Sequence, residues 1–235
     1  MRNRLPNSYS TFYCFTPLVS LATFIIEFSL AIYTLSRYKL NKFNKIAAVT
    51  IICLGIFQLS EYMLCTANQN LFWGRVGTTS ITLLPILGLN LITFMTKKSR
   101  WLYIGYALAG IIIYSVFFLS FLNNYHCTNK FVAIQFANPS DIVYVIYYFG
   151  FLLIGLGILF QHYLSQEKNS IEMLWMTAGY LSFIIPTAII YIISQTTYYA
   201  IPSIMCGFAI MFALVLTFKI IPEFNNKPKK IKIKR

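Results

Sequence analysis

Acid is scarce in this chain. One aspartate and five glutamates stand against 19 lysines and arginines in 235 residues, and charged residues make up only 11%. An ordinary soluble domain carries about 25%, so the chain lacks the polar surface that water demands. Histidine is nearly absent too: His126 falls in a polar connection and His162 near the end of an apolar run. No His-rich metal centre can form from two such residues, and neither a metal nor a cofactor is expected. A single Asp excludes paired aspartates, and neither a Gly-x-Ser-x-Gly elbow nor a phosphate loop occurs. The chain therefore does not read as an enzyme. A net charge of +13 invites a nucleic-acid reading, but no polar stretch is long enough to build a groove or recognition helix. Gly-x-x-x-Gly is missing as well, so no glycophorin-type dimer seam is visible.

What fills the sequence instead is apolar. Hydrophobic residues are 58% of the chain, gathered in seven runs at about 15–36, 46–65, 71–94, 101–122, 142–164, 173–195 and 201–221. Each approaches or exceeds the ~20 residues that carry a helix across a ~30 Å hydrocarbon layer. Lipid offers no hydrogen bonds to the backbone, so runs of this length are helices. The expected fold is all-α: a seven-helix transmembrane bundle over 1–222 with a short basic tail at 223–235. Tyrosines near run ends (Tyr9, Tyr13, Tyr125, Tyr198, Tyr199) suit an interfacial belt or ordinary loop packing. No internal repeat is visible.

The basic residues alternate between connections. Arg37, Lys39, Lys42 and Lys45 fall on the first, Lys97, Lys98 and Arg100 on the third, Lys168 on the fifth, and Lys227, Lys229, Lys230, Lys232, Lys234 and Arg235 on the tail. The other side holds Arg2, Arg4 and Lys130, with Arg75 near a helix end. Positive residues favour the cytoplasmic face, which puts the N-terminus outside and the C-terminus in the cytoplasm. The first run contains Glu27 and is too long for a signal core, so it reads as a retained helix. A bacterial inner membrane is the expected location. The tail is read as lying on anionic lipid headgroups, each basic residue adding about 1 kcal/mol, rather than as an edge strand.

Ionisable groups at membrane depth cost about 2.5–3.5 kcal/mol each and normally face the bundle. Glu27, Glu61 and Arg75 stand out. Glu61 and Arg75 lie seven residues either side of Asn68, the expected centre of a tight turn. In an antiparallel hairpin they share a depth of ~10 Å from that turn, so an ion pair is expected. Gln58, Glu61, Tyr62 and Cys65 share one face of the second helix, and Thr78, Thr79, Thr82 and Asn90 follow Arg75 along the third. That stripe reads either as an interhelical seam or as the lining of an outward pocket. The pocket reading takes Arg75, Glu61, Gln58, Tyr62, Thr78, Thr82 and Glu27 as ligand contacts, with Arg75 gripping an anionic or polar group. Glu27 either carries its proton or bonds hydroxyls of other helices. Pro85 and Pro186 interrupt helices, while Pro202 suits a first turn. Cys53 and Cys206 fall deep in helices as apolar fillers. Cys65 and Cys127 share the external side and predict a disulfide over the bundle mouth, with Cys14 as a competing partner.

Rhodopsin-like chemistry is excluded because Lys219 lies at the end of the last run rather than its middle. Asp-Arg-Tyr and Asn-Pro-x-x-Tyr, familiar from G-protein-coupled receptors, are absent from the third and last runs. The stretch Trp73-Gly74-Arg75-Val76-Gly77, followed by Leu84-Pro85, resembles the seven-helix sensor region N-terminal to some bacterial histidine kinases. That resemblance spans essentially the whole chain and implies sensing of an extracytoplasmic or membrane-borne signal. The sequence departs from the pattern in having no kinase after the seventh run, so output would pass to a separate cytoplasmic or membrane partner. The alternative is a small transporter or ion/proton channel that uses Glu27, Glu61 and Arg75 as a relay.

Overall fold

The computed structural model describes residues 17–66, 71–97, 100–119, 121–127, 132–137, 140–165, 171–193 and 201–226. Seven helices are long and apolar enough to cross a membrane. They are α1 (Pro17–Arg37), α2 (Lys42–Thr66), α3 (Leu71–Thr96), α4 (Arg100–Phe118), α5 (Ser140–Ser165), α6 (Ile171–Ile193) and α7 (Ile201–Val215). The last continues through a π-helical turn, Leu216–Ile220, into α8 (Ile221–Asn226). The expected tail boundary at 223 thus falls inside a helix. Residues 227–235 of the basic tail, and Cys14, lie outside the described residues.

Helix starts explain where the sequence boundaries slip. Asn41 caps α2 by accepting the Asn44 backbone N–H at 2.7 Å. Helix α2 therefore begins four residues before its apolar run, taking Lys42 and Lys45 into its first turns. Helix α4 stops at Phe118, short of the expected 122, because its polar continuation enters a strand. Within the polar connection that holds His126, residues 122–127 and 132–136 form an antiparallel hairpin, β1 (Leu122–Cys127) and β2 (Val132–Phe136). Cys127 pairs with Val132 and Tyr125 with Ile134, with an irregularity between Leu122 and Asn124.

Helices α1, α2 and α3 pack side by side, α3 then meets α4 and α5, and α7 closes on α6, α2 and α1. The two ends of the bundle differ. At the hairpin end, Tyr125, Val132 and Ile134 bury themselves against the helices. At the opposite end, where α8 lies, the first connection is stitched to α8. Asn41 donates to Asn225 at 2.8 Å, and the Phe43 and Phe224 rings stack at 4.0 Å. Tyr38 adds a hydrogen bond to the Thr217 carbonyl within the π turn, at 3.3 Å.

Pro85 sits inside α3 and cannot donate in the helical ladder. The Tyr147 hydroxyl of α5 reaches the neighbouring Thr82 carbonyl at 2.6 Å. The carbonyl that Pro85 leaves without its helical donor is that of Ile81, so the Tyr147 bond supports α3 one residue beyond the break. Two glycines admit a second anchor, this one from α6. A methyl at Gly88 would stand 2.1 Å from the Tyr180 hydroxyl and one at Gly155 3.7 Å from it, so Tyr180 fits a notch between α3 and α5.

Candidate functional site

Polar residues concentrate towards the hairpin end in two adjoining groups. The first joins α1, α2 and α7. On α1, Ser20, Thr23, Glu27 and Thr34 lie buried along one face, at spacings that stack on a helix. Glu61 of α2 is buried and accepts from Ser20 at 3.3 Å. Its other oxygen meets the Ser203 hydroxyl of α7. Ser203 also lies 3.2 Å from the Val132 carbonyl of the hairpin. A carboxyl buried in the bundle is thus two hydrogen bonds from the cap.

Proton counting gives that chain a direction. Ser203 owns a single hydroxyl proton, and both an ionised Glu61 and the Val132 carbonyl are acceptors. With Glu61 ionised, Ser203 satisfies one or the other. With a proton on Glu61, the carboxyl donates to Ser203 and Ser203 donates to Val132, completing the chain.

Glu27 stands apart from that solution. It is completely buried, and neither carboxyl oxygen finds a hydrogen-bond partner among the described residues. Gly55 of α2 admits it: a methyl built there would lie 3.7 Å from the Glu27 β-carbon and 3.9 Å from Oε2. The Gln58 side chain, one turn along α2, is also buried with its Nε2 unpartnered. Glu27, Glu61 and Cys206 lie near enough to act on one another electrostatically. No group of three or more metal-ligating side chains occurs among the described residues.

The second group belongs to α3 and the elements facing it. Thr78 pairs with the Tyr125 hydroxyl at 3.1 Å, and Thr82 donates to Tyr144 at 3.4 Å. Tyr125 also lays its ring on Gly74, where a methyl would come within 2.2 Å of two ring carbons. Burial holds the Tyr125 phenol above the usual tyrosine range, with the Thr78 hydrogen bond and the Arg75 charge pulling the other way. The hairpin is further fastened by a disulfide between Cys65 and Cys127, whose α-carbons lie 5.3 Å apart. That pairing is the one expected from shared sidedness.

The expected Glu61–Arg75 ion pair does not form. Glu61 faces Ser20 and Ser203, whereas Arg75 is half-buried in a groove between α3 and the end of α4. Equal distance from a turn fixes depth but not azimuth, and the two side chains leave their helices towards different neighbours. The seven expected ligand contacts therefore divide. Glu27, Glu61 and Gln58 lie in the acidic group, Thr78 and Thr82 in the tyrosine network, Arg75 in its own groove, and Tyr62 is half-buried on α2. Ser20, Ser203, Tyr125 and Tyr144 were not anticipated. For Ser20 a signal existed, since it lies seven residues before Glu27.

Below these groups the bundle closes. A cavity of about 30 Å³ lies between α2, α3, α5, α6 and α7, bordered by Leu54, Leu84, Leu152, Phe183 and Phe212. Thr50, Tyr148, Tyr180 and Cys206 also line it, among mostly apolar surface. Towards α8 the core is mainly apolar, with Leu89, Leu91, Ile92, Met176, Leu216 and Ile220 fully buried, and Thr34, Asn44 and Thr217 buried among them. No family model matches the chain, and no curated protein resembles it at a significant level.

Proposed function

We propose that this chain is a receptor-like, multi-pass membrane sensor whose hairpin-capped end receives a signal and whose opposite end passes it to a separate partner. The observation that carries this reading is the continuous link from the cap carbonyl of Val132 through Ser203 to buried Glu61. Such a link lets a displacement of the hairpin change the proton demand of a group inside the bundle. The exterior supports a lipid setting: Tyr103, Phe118, Ile146 and Ile192 are each 68% exposed or more, an apolar surface that water does not tolerate. Loop charge supports an orientation with the hairpin outside and α8 on the cytoplasmic side, the bacterial inner membrane being the expected type.

Transport by the same carboxyls is the second reading, favoured by the two unpartnered oxygens of Glu27. Reconstituted vesicles separate the two. An environment-sensitive dye on Lys45→Cys, exposed at the α8 end, is expected to change emission when a membrane-impermeant reductant opens Cys65–Cys127. Ser203→Ala is expected to blunt that change. An unmoved dye, together with a proton or ion flux that Glu61→Gln abolishes, would replace sensing with transport.

A further inference from the structure

Of Glu27, Glu61 and Arg75, Arg75 is the one that lies outside the acidic group, and its surroundings are specific. It opens into a groove of about 260 Å³ with Leu71, Phe117, Phe118, Leu119 and Leu122. The wall residues are strongly apolar and partly outward-facing, Phe118 at 74% and Leu119 at 58% exposure. No carboxylate among the described residues pairs with the guanidinium, so the cation opens on a groove whose inner surface is mostly polar, with apolar side chains turned outward along its rim.

Depth narrows what could fill it. Helix α3 has 26 residues, about 39 Å at 1.5 Å per residue. The hydrocarbon layer is ~30 Å thick, so a centred helix projects about 4–5 Å beyond it at each end. Arg75 lies four residues after Leu71, about 6 Å along the axis. Its α-carbon is then at the acyl boundary, and its long stem carries the guanidinium to headgroup level. A soluble anion would match the charge but leave the aromatic wall bare. A neutral lipid tail would match the wall but leave the cation without a partner.

We propose that Arg75 and the α3–α4 groove form a binding site for an anionic phospholipid, its phosphate on the guanidinium and one acyl chain along Phe117 and Phe118. Arginine suits a phosphate because its planar fork presents paired donors. The site is separate from the Glu61–Ser203 link, and it rests on the chain spanning a bilayer, which sensing and transport share, rather than on signalling.

The test uses the full chain in detergent, with Cys14→Ser and a fluorophore on Tyr114→Cys. That position is 59% exposed and one turn from the groove, against the Phe118 ring. Brominated phosphatidylglycerol is expected to quench the dye saturably, and Arg75→Gln to raise the half-saturating concentration about fivefold, the worth of one basic residue at an anionic surface. Arg37→Gln, at the opposite end, should leave the curve unchanged. Brominated diacylglycerol, which has no phosphate, should quench weakly and alike with either residue at 75. If diacylglycerol matches phosphatidylglycerol on the unsubstituted groove, the phosphate contact is wrong. If millimolar inorganic phosphate abolishes the preference, the site takes a free anion and the phospholipid assignment fails. Both of these arms use Arg75 intact, so they decide the matter even where Arg75→Gln folds poorly.

Discussion

Gly74→Ala should loosen the cap without touching the disulfide that tethers it. The added methyl would stand 2.2 Å from the Tyr125 Cε2 and Cζ atoms and 2.6 Å from Cδ2. No contact survives at that range, and the ring cannot slide while its hydroxyl holds Thr78. Overpacking of this kind costs about 1–3 kcal/mol, and losing the hydrogen bond adds about 0.5–1.5 kcal/mol. Alanine returns up to about 1 kcal/mol over glycine as a helix former. A net weakening of about 1–3 kcal/mol is expected, confined to hairpin docking. Amide exchange in β1 and β2 should then accelerate roughly 5- to 150-fold, and Cys65–Cys127 should be reduced faster by a water-soluble phosphine. Gly150→Ala is the control, since a methyl there meets nothing within 4 Å. Tyr125→Ala should itself free the hairpin, and Gly74→Ala added to it should cost nothing further, a coupling read from the double-mutant cycle. Unchanged hairpin protection in Gly74→Ala would refute the Tyr125 knob as the cap's anchor.

Other outcomes follow from the same packing. Gly88→Ala should lower thermal stability in detergent by about 1–3 kcal/mol, and Tyr180→Phe should recover part of that loss by removing the hydroxyl at 2.1 Å. Glu27→Leu should raise stability by about 1–3 kcal/mol, because it removes a buried group with no partner; a fall in melting temperature would show that the carboxyl is held by something it needs. Hairpin docking should weaken as pH rises from about 10, where a freed tyrosine begins to ionise while the docked Tyr125 phenol stays neutral. Tyr125→Phe should remove that pH dependence from hairpin amide exchange, and an unaltered profile would assign it to other groups.

Segment count was legible because an apolar run long enough to span lipid has few alternatives, and each of the seven runs became a helix. Ends were less legible where a side-chain cap decided them, as Asn41 does for α2. The hairpin escaped because Asn123, Asn124, His126 and Asn129 give the segment a loop-like composition. Its pairing is stabilised from outside itself, through Tyr125 on α3 and Cys127 on α2. Sidedness pointed to Cys65 with Cys127 but left Cys14 open as a competitor, and the disulfide joins Cys65 to Cys127. The Glu61–Arg75 pair failed because residue spacing reports depth along a helix, while facing depends on how each helix is rotated in the bundle. Ser203 was invisible for a related reason: a lone serine in an apolar run gains meaning only from the carboxyl 142 residues earlier that it meets.

That separation sets a clock on biogenesis. Synthesis proceeds at about 5–20 residues per second, so Ser203 leaves the ribosome roughly 7–30 s after Glu61. Throughout that interval α1 and α2 are already available for insertion, and Ser20 is the donor to Glu61 that accompanies them. On the membrane reading proposed above, Glu61 enters the bilayer before its second partner exists. The first hairpin must either shelter that carboxyl with Ser20 or wait beside the insertion machinery until α7 arrives to complete its hydrogen bonds.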